Sequence, residues 1–435
     1  MKKSRLVLSA FMALGLVACS SGDTGSDTIE GTYSYQVTGY DWGSSVNKAV
    51  LTLDHKLSQI DAQDLTVTET KAATDWTDAN FAVKVSDFAR EVTSVYLCDE
   101  EGNAVEGDSK YVAVEMYVSP NDGSPINYSM TTSRNSWSDP YTLAFTLADG
   151  ATVDSLGETV TSFTIDVAAS GYTTSADMFE ASTFEATDGV TYNYVTYEPA
   201  EKSDTLFVWL HGAGEGEAEG SSPLIPVLGN KVTALAGEEF QTIVGGAAIL
   251  APQSPTMWMD DGTGNYTSDN SSMYTESLME LIEDYKTEYG ATQVVIAGCS
   301  NGGFMTMDMM INYPDYFVAG VPICQAKTDA LITDDQISAL AGQNIFFIYS
   351  EDDTTVVPEN TSIPTIQRLK AAGAQNVMVF SPEHVVDTSG MYKDADGNAY
   401  KYSGHWSWIY FDNNEAIDDT TGIDSWTWIA DQLNK

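Results

Sequence analysis

The stretch Val294-Val295-Ile296-Ala297-Gly298-Cys299-Ser300-Asn301-Gly302 decides how this chain is read. Four consecutive apolar residues predict a buried strand, and the pattern from Gly303 to Tyr313 predicts a helix. Between them a single serine has a glycine two residues to either side. A strand that turns sharply into a helix leaves no room for side chains at those two positions, and it lifts the serine hydroxyl to the strand's C-terminal end. There the helix N-terminus favours negative charge. This is a nucleophile elbow, and the glycine-serine-glycine spacing gains its meaning from the strand before it and the helix after it.

A serine hydroxyl is almost un-ionised at neutral pH, so it needs a base within hydrogen-bond reach and a third group to orient that base. On such elbows the partners follow in the order serine, acid, histidine. Only two histidines lie downstream, His384 and His405. His405 sits in Gly404-His405-Trp406-Ser407-Trp408, a glycine-introduced loop before the last helix, and is the expected base. His384 follows the strand Val377–Phe380 too closely and reads as a structural imidazole. The acid is expected after the strand Ile345–Tyr349, in Ser350-Glu351-Asp352-Asp353-Thr354-Thr355-Val356, where Asp353 is favoured and Asp352 is its rival. The oxyanion formed by attack on a carbonyl requires preorganised N–H donors. Asn301, directly after the serine, is one expected donor. Ala213, in Leu210-His211-Gly212-Ala213-Gly214-Glu215-Gly216 after an early strand, is the other, with His211 as a buried brace for that loop.

Around these motifs the chain alternates strand and helix: Leu206–Leu210, a helical stretch near Leu224–Leu235, Ala247–Ala251, a helix at Met273–Tyr289, the elbow, Val318–Ile323, Ile345–Tyr349, a helix near Ile363–Ala372, Val377–Phe380 and a last helix at Ile423–Leu433. Such alternation predicts an α/β fold with a mostly parallel sheet covered by helices, and ligands bound beyond the strands' carboxyl ends. Residues 186–435 resemble a serine carboxylesterase of the α/β-hydrolase superfamily, in its prolyl-oligopeptidase-like and polyhydroxybutyrate-depolymerase-like branch. The residues that carry the resemblance are His211 to Gly216, Ala251-Pro252-Gln253, Gly298 to Gly303, Asp353 and Gly404 to Trp408. The resemblance implies a Ser300, Asp353, His405 triad, because the acid of that superfamily stands three residues before a valine. Cys299 and Thr354-Thr355 depart from the commoner pattern. Trp258 and Trp406 are candidates for lining the substrate pocket.

From Glu30 to about Phe184 the rhythm differs. Short alternating runs (Thr32–Thr38, Lys48–Leu53, Asp64–Thr68, Phe81–Val85, Ser94–Cys98, Tyr111–Tyr117, Tyr141–Leu147, Ser162–Val167) are separated by Gly, Asp, Asn and Ser, which predicts an antiparallel β-sandwich over residues 30–185. Val37-Thr38-Gly39-Tyr40-Asp41-Trp42-Gly43 through Leu53 resembles the immunoglobulin-like domain found ahead of secreted esterases. The segment contains one histidine, His55, and no nucleophile–base pair.

The N-terminus, with Lys2, Lys3 and Arg5 before the apolar Leu6–Leu16 and then Val17-Ala18-Cys19, resembles a bacterial lipoprotein signal peptide. The resemblance implies cleavage after residue 18, a lipid on Cys19, a flexible tether over residues 19–29 and an extracellular position on the cell membrane. No other stretch reaches the roughly 18 apolar residues that span a bilayer, so membrane contact is expected through Cys19 alone. The chain carries 19 basic and 63 acidic residues, a formal charge of −44, which repels nucleic acid and anionic headgroups. With Cys98, Cys299 and Cys324 besides Cys19, no disulfide framework is expected, and Cys299 and Cys324 read as buried thiols with a bridge between them left open. Four histidines and no HExxH or CxxC spacing point to no metal and no cofactor. The substrate expected is a small-molecule or polysaccharide-linked ester. The same triad would also serve a peptidase, and a third possibility is a glycan- or surface-binding protein with a vestigial hydrolase domain.

Overall fold

The computed structural model describes residues 28–435. The expected signal peptide, Cys19 and the tether up to Asp27 lie outside the described residues. No helix among those described is long and apolar enough to cross a membrane.

Two compact units are present, one formed within residues 28–177 and the other by Met178–Lys435 together with Ser133–Asn135. The first is all β. Its larger sheet is built on a long hairpin, Thr28–Tyr40 against Gly43–Leu57, continued by Ser109–Met116 and Val92–Cys98 on one side, and by Ser162–Ile165 and Gly171–Thr174 on the other. A three-stranded sheet, Val83–Arg90, Leu65–Thr74 and Tyr141–Leu147, supplies the facing layer. The layers meet at Tyr33, whose ring packs edge-on to Phe145 at 5.1 Å. The Tyr33 hydroxyl accepts from the Leu143 amide at 2.8 Å and donates to the Val167 carbonyl at 3.0 Å, so a buried polar tip is satisfied between two sheets. The first hairpin runs longer than its alternation suggested, because each strand extends the ladder past the apolar core, whereas Tyr141–Leu147 has the expected bounds and the strand at Ser162 stops at Ile165.

The second unit is an eight-stranded sheet. Its strands are β1 (Glu180–Glu185), β2 (Thr191–Tyr197), β3 (Thr205–Leu210), β4 (Ala248–Gln253), β5 (Gln293–Cys299), β6 (Ala319–Ile323), β7 (Ile345–Ile348) and β8 (Val377–Phe380). Their spatial order is β1-β2-β4-β3-β5-β6-β7-β8. β2 pairs antiparallel with β1 and β4, and every later pair is parallel. The division between units therefore falls at 177/178 rather than at 185/186. Thr183 and Phe184 look like sandwich residues in sequence, yet they pair with Asn193 and Tyr192 as the first strand of this sheet.

β3, β4, β6 and β7 are buried along their whole length, and β5 from its second residue onward, as the interior strands of a sheet covered on both faces must be. Each fully buried Leu, Ile, Val or Phe contributes roughly 1.5–3 kcal/mol. The helices are α1 (Ile225–Gly229), α2 (Glu238–Val244), α3 (Thr275–Tyr289), α4 (Asn301–Asn312), α5 (Asp334–Leu340), α6 (Ser362–Ala371), α7 (Trp408–Asp412) and α8 (Ser425–Leu433). α3 buries Leu278, Leu281, Ile282, Tyr285 and Tyr289 at helical spacing and stops at Gly290, whose φ of 84° closes the last turn. The helix expected over Leu224–Leu235 is split into α1 and a 3₁₀ turn, Val232–Ala236. Lys231 lies between them in a left-handed conformation, φ 55°.

Candidate active site

The elbow is built by exclusion. β5 ends at Cys299 and α4 begins at Asn301, so one residue makes the reversal, and Ser300 sits at φ 55°, ψ −112°. For a non-glycine residue such a conformation costs on the order of 1–3 kcal/mol. It is held by the Ser300 amide donating to the Ile323 carbonyl on β6 and by the Ser300 carbonyl accepting from Phe304, both at 2.9 Å. The glycines answer to the start of α4 pressing on the end of β3. A Cβ at Gly302 would lie 1.9 Å from the Leu210 carbonyl oxygen, and one at Gly298 would lie 2.6 Å from the same atom. No side chain fits at either.

The Ser300 hydroxyl is 2.9 Å from Nε2 of His405, and Nδ1 of His405 is 2.7 Å from Oδ2 of Asp353. With the Nδ1 proton donated to Asp353, Nε2 is left to accept from the hydroxyl. The Asp353 side chain is buried, and its Oδ1 accepts from the amides of Thr355 and Val356 at 2.8 and 2.9 Å, which fixes the carboxylate in one orientation. The neighbouring Asp352 faces the other way. It accepts from Nδ1 of His384 at 2.9 Å, pairs with Nζ of Lys401 at 2.9 Å and accepts from the Ser350 hydroxyl at 2.6 Å. Burial pushes the Asp352 carboxyl up, but the Ser350, Lys401 and His384 contacts outweigh it and leave it below the usual range. Thus the two adjacent aspartates serve two different histidines. His405 rides on a 3₁₀ turn, Gly404–Trp406, that packs directly on Asp352. A Cβ at Gly404 would lie 2.2 Å from Asp352 Oδ1.

The loop after β3 lies over the end of β4. His211 is fully buried; its Nδ1 donates to the Gly212 carbonyl at 2.6 Å and its Nε2 accepts from the Ser254 amide at 2.9 Å. Both ring nitrogens are occupied in the neutral form, and burial pulls the imidazole pKa down to about 4. Ala213 opens the 3₁₀ turn Ala213–Glu215 and Asn301 opens α4, positions whose amides have no acceptor within their own helix. The Asn301 side chain is buried, with neither its oxygen nor its nitrogen partnered.

Trp406 is half-buried beside the His405 turn, 5.9 Å from Tyr402 and 6.3 Å from Trp408 between ring centroids. Trp258 corrects the expectation of a pocket wall. It has no exposed surface and packs against Tyr192, Tyr274 and His211, because a ring of that size between β2 and α3 is worth more to the core than to a wet cleft. Cys299 and Cys324 are buried free thiols, and burial pushes both well above the ordinary thiol range. The Cys324 sulfur, the Asp353 carboxylate and the His405 ring form a group whose ligating atoms lie within 4.8 Å of one another, but the ring and the carboxylate are already hydrogen-bonded to each other.

The roles of three contributors escaped the sequence. Gln253, in the Ala-Pro-Gln motif, donates through Nε2 to the Glu215 carbonyl at 2.9 Å and so ties β4 to the loop after β3. Glu215 itself turns inward onto Gly212 and Asn230. Lys327, buried beyond β6, pairs with Asp308 of α4 at 2.7 Å and lies over the Phe304 ring at 4.3 Å, fastening the elbow helix to the next loop. A glutamate three residues after a glycine was the available signal for the second of these, since an N3 carboxylate can reach back to the preceding amide.

Residues 33–162 match the model of the esterase Ig-like N-terminal domain family. No curated protein matches the chain in sequence. Among solved structures, a thermostable esterase is 20% identical, with a TM-score of 0.69 over 88% of this chain and 96% of its own. A ferulic acid esterase is 14% identical (TM-score 0.39, 54% of this chain and 93% of its own). Est1E from Butyrivibrio proteoclasticus is 15% identical (TM-score 0.33, 46% and 87%). The first of these shares its fold with this chain. The architecture is an α/β-hydrolase domain preceded by an immunoglobulin-like domain.

Proposed function

We propose that this protein is a serine carboxylesterase that forms an acyl-enzyme on Ser300. The observation that carries the reading is the unbroken hydrogen-bonded series from Ser300 through His405 to a buried, doubly anchored Asp353. Ser300 Oγ attacks the ester carbonyl while Nε2 of His405 takes its proton, and the Asp353 carboxylate stabilises the resulting imidazolium. The amides of Asn301 and Ala213 hold the oxyanion of the tetrahedral intermediate. His405 then returns the proton to the departing alcohol. Water, deprotonated by the same Nε2, attacks the acyl group, and collapse of the second intermediate frees the acid and restores the Ser300 hydroxyl.

Esterase is favoured over peptidase because the domain ahead of the hydrolase is a sandwich whose residues 33–162 match an esterase-associated family, whereas peptidases of this branch usually carry a propeller. A small-molecule or polysaccharide-linked ester is the proposed substrate, without a cofactor. A fluorophosphonate probe tests the reading. It should modify Ser300 stoichiometrically and stop hydrolysis of p-nitrophenyl esters, and a protein that hydrolyses them while leaving Ser300 unlabelled refutes it.

The N-terminal residues support a further part of the reading: Cys19 is lipidated, and the protein is tethered outside the cell membrane. Wild-type protein should then enter the detergent phase and take up a fatty-acid analogue, since acyl chains contribute about 0.8 kcal/mol per buried CH₂. Cys19→Ser should take up none. Labelling that survives this substitution would end the anchor assignment.

A further inference from the structure

We propose that Glu215 is a positioning residue for the oxyanion site: anchored by Asn230, it clamps Gly212 so that the amide of Ala213 is held in a fixed direction for the carbonyl under attack by Ser300. The inference rests on the reading of Ser300 as nucleophile and of Ala213 as an oxyanion donor.

Gly212 is held at both of its backbone groups. Its N–H donates to Oε2 of Glu215 at 3.0 Å, and its carbonyl accepts from Nδ1 of His211 at 2.6 Å and, more weakly, from the Glu215 amide at 3.3 Å. A trans peptide is planar, with its C=O and the following N–H pointing in opposite directions. Whatever fixes the Gly212 carbonyl therefore fixes the Ala213 N–H, and a donor on that carbonyl also polarises the amide toward giving its proton. His211 sets the carbonyl. Glu215 sets the preceding amide, which removes the remaining freedom of a residue with no side chain of its own to pack.

Glu215 is in turn fixed. Asn230 Nδ2 donates to the same Oε2 at 2.6 Å, Gln253 holds the Glu215 carbonyl, and Oε1 lies against Gly229, where a Cβ would be 2.5 Å away. The carboxyl is buried and is pushed up to about 8 by that burial, offset in part by Asn230 and Gly212. Burying a carboxyl is unfavourable, and a loop that needed only packing would do better with an apolar residue. What a carboxyl supplies here is one oxygen accepting two N–H groups, the buried Asn230 Nδ2 and the part-buried Gly212 amide. No hydrogen bond joins Glu215 to Ser300 or His405, so it acts through the backbone it holds.

In Glu215→Ala, kcat should fall about 10–100-fold, less than for outright removal of an oxyanion donor and in the range of a displaced one. KM should stay within about twofold, because the contact is made in the transition state. Affinity for a trifluoromethyl ketone, which forms a tetrahedral oxyanion on the serine, should fall by the same factor as kcat. Glu215→Gln keeps an acceptor at the Oε2 position and should keep most of kcat. Gly229→Ala leaves all clamp residues in place but forces Oε1 aside, and should lower kcat and ketone affinity together. Activities are taken per fluorophosphonate-titrated site, so misfolded protein does not count. Should Glu215→Ala fail to fold, Gly229→Ala decides. Unchanged kcat and ketone affinity in the folded variants would overturn the clamp while leaving Ser300 as nucleophile. Loss of kcat without loss of ketone affinity would overturn it too. Full activity in Ser300→Ala would instead overturn the reading beneath it.

Discussion

Ser300→Ala should abolish turnover, with kcat on a p-nitrophenyl ester falling by about 10⁴-fold or more, as knockouts of such nucleophiles do. The expectation follows from geometry. The hydroxyl is the one group 2.9 Å from His405 Nε2, and it is presented on a reversal at φ 55° that the surrounding backbone bonds hold whatever the side chain. Ser300 is only partly buried and the bonds that hold its reversal are made by the backbone, so the thermal midpoint should stay close to that of the wild type. A variant that keeps a tenth of the activity would remove Ser300 from its role. One that loses both activity and midpoint would show the hydroxyl to be a structural pin for the elbow.

The second large effect separates two adjacent aspartates. Asp353→Asn should lower kcat by about 10⁴-fold, because an amide nitrogen turned toward Nδ1 stabilises the imidazole tautomer whose Nε2 carries a proton and cannot take one from Ser300. Oδ1 is already committed to the Thr355 and Val356 amides, so the new NH₂ group has no position other than the one facing His405. Asp352→Asn weakens the contacts to His384 and Lys401, which are partly exposed. Pairs of that kind are worth about 0–1 kcal/mol, a factor of roughly five at most in rate if all of it were felt at the site. Steady-state kinetics of the two variants give the answer directly. The reverse ranking would mean that the acid loop is offset by one residue from the geometry described.

What was legible in the sequence was what local sterics impose. The elbow showed itself because only glycine fits where α4 meets the end of β3. The alternation after residue 205 showed itself because interior parallel strands must be apolar throughout. His405 stood out because so few histidines follow the serine. β1 did not show itself. An antiparallel edge strand has the same period-two pattern as the sandwich strands before it, and only its pairing with β2 assigns it to the second sheet.

Between Asp352 and Asp353 the spacing to Val356 favoured the second but left its rival open, since successive side chains of a loop point in different directions and one residue of offset exchanges one histidine for the other. Trp258 read as a pocket wall until the packing of Tyr192 and Tyr274 enclosed it. Glu215 showed only that a carboxylate three residues after Gly212 could reach back to its amide; what fixes it there is Asn230, fifteen positions on, and the missing side chain at Gly229, whose place Oε1 takes. The sequence by itself determined where the chain must turn, which strands must be interior and which residue types are present to react. Tertiary structure alone decided which of them meet. Ser300 and His405 lie 105 residues apart, and His405 and Asp353 lie 52 apart. No local rule reaches that far, and the parallel sheet brings them together by delivering the ends of β5 and β7, and the loop before α7, to the same edge.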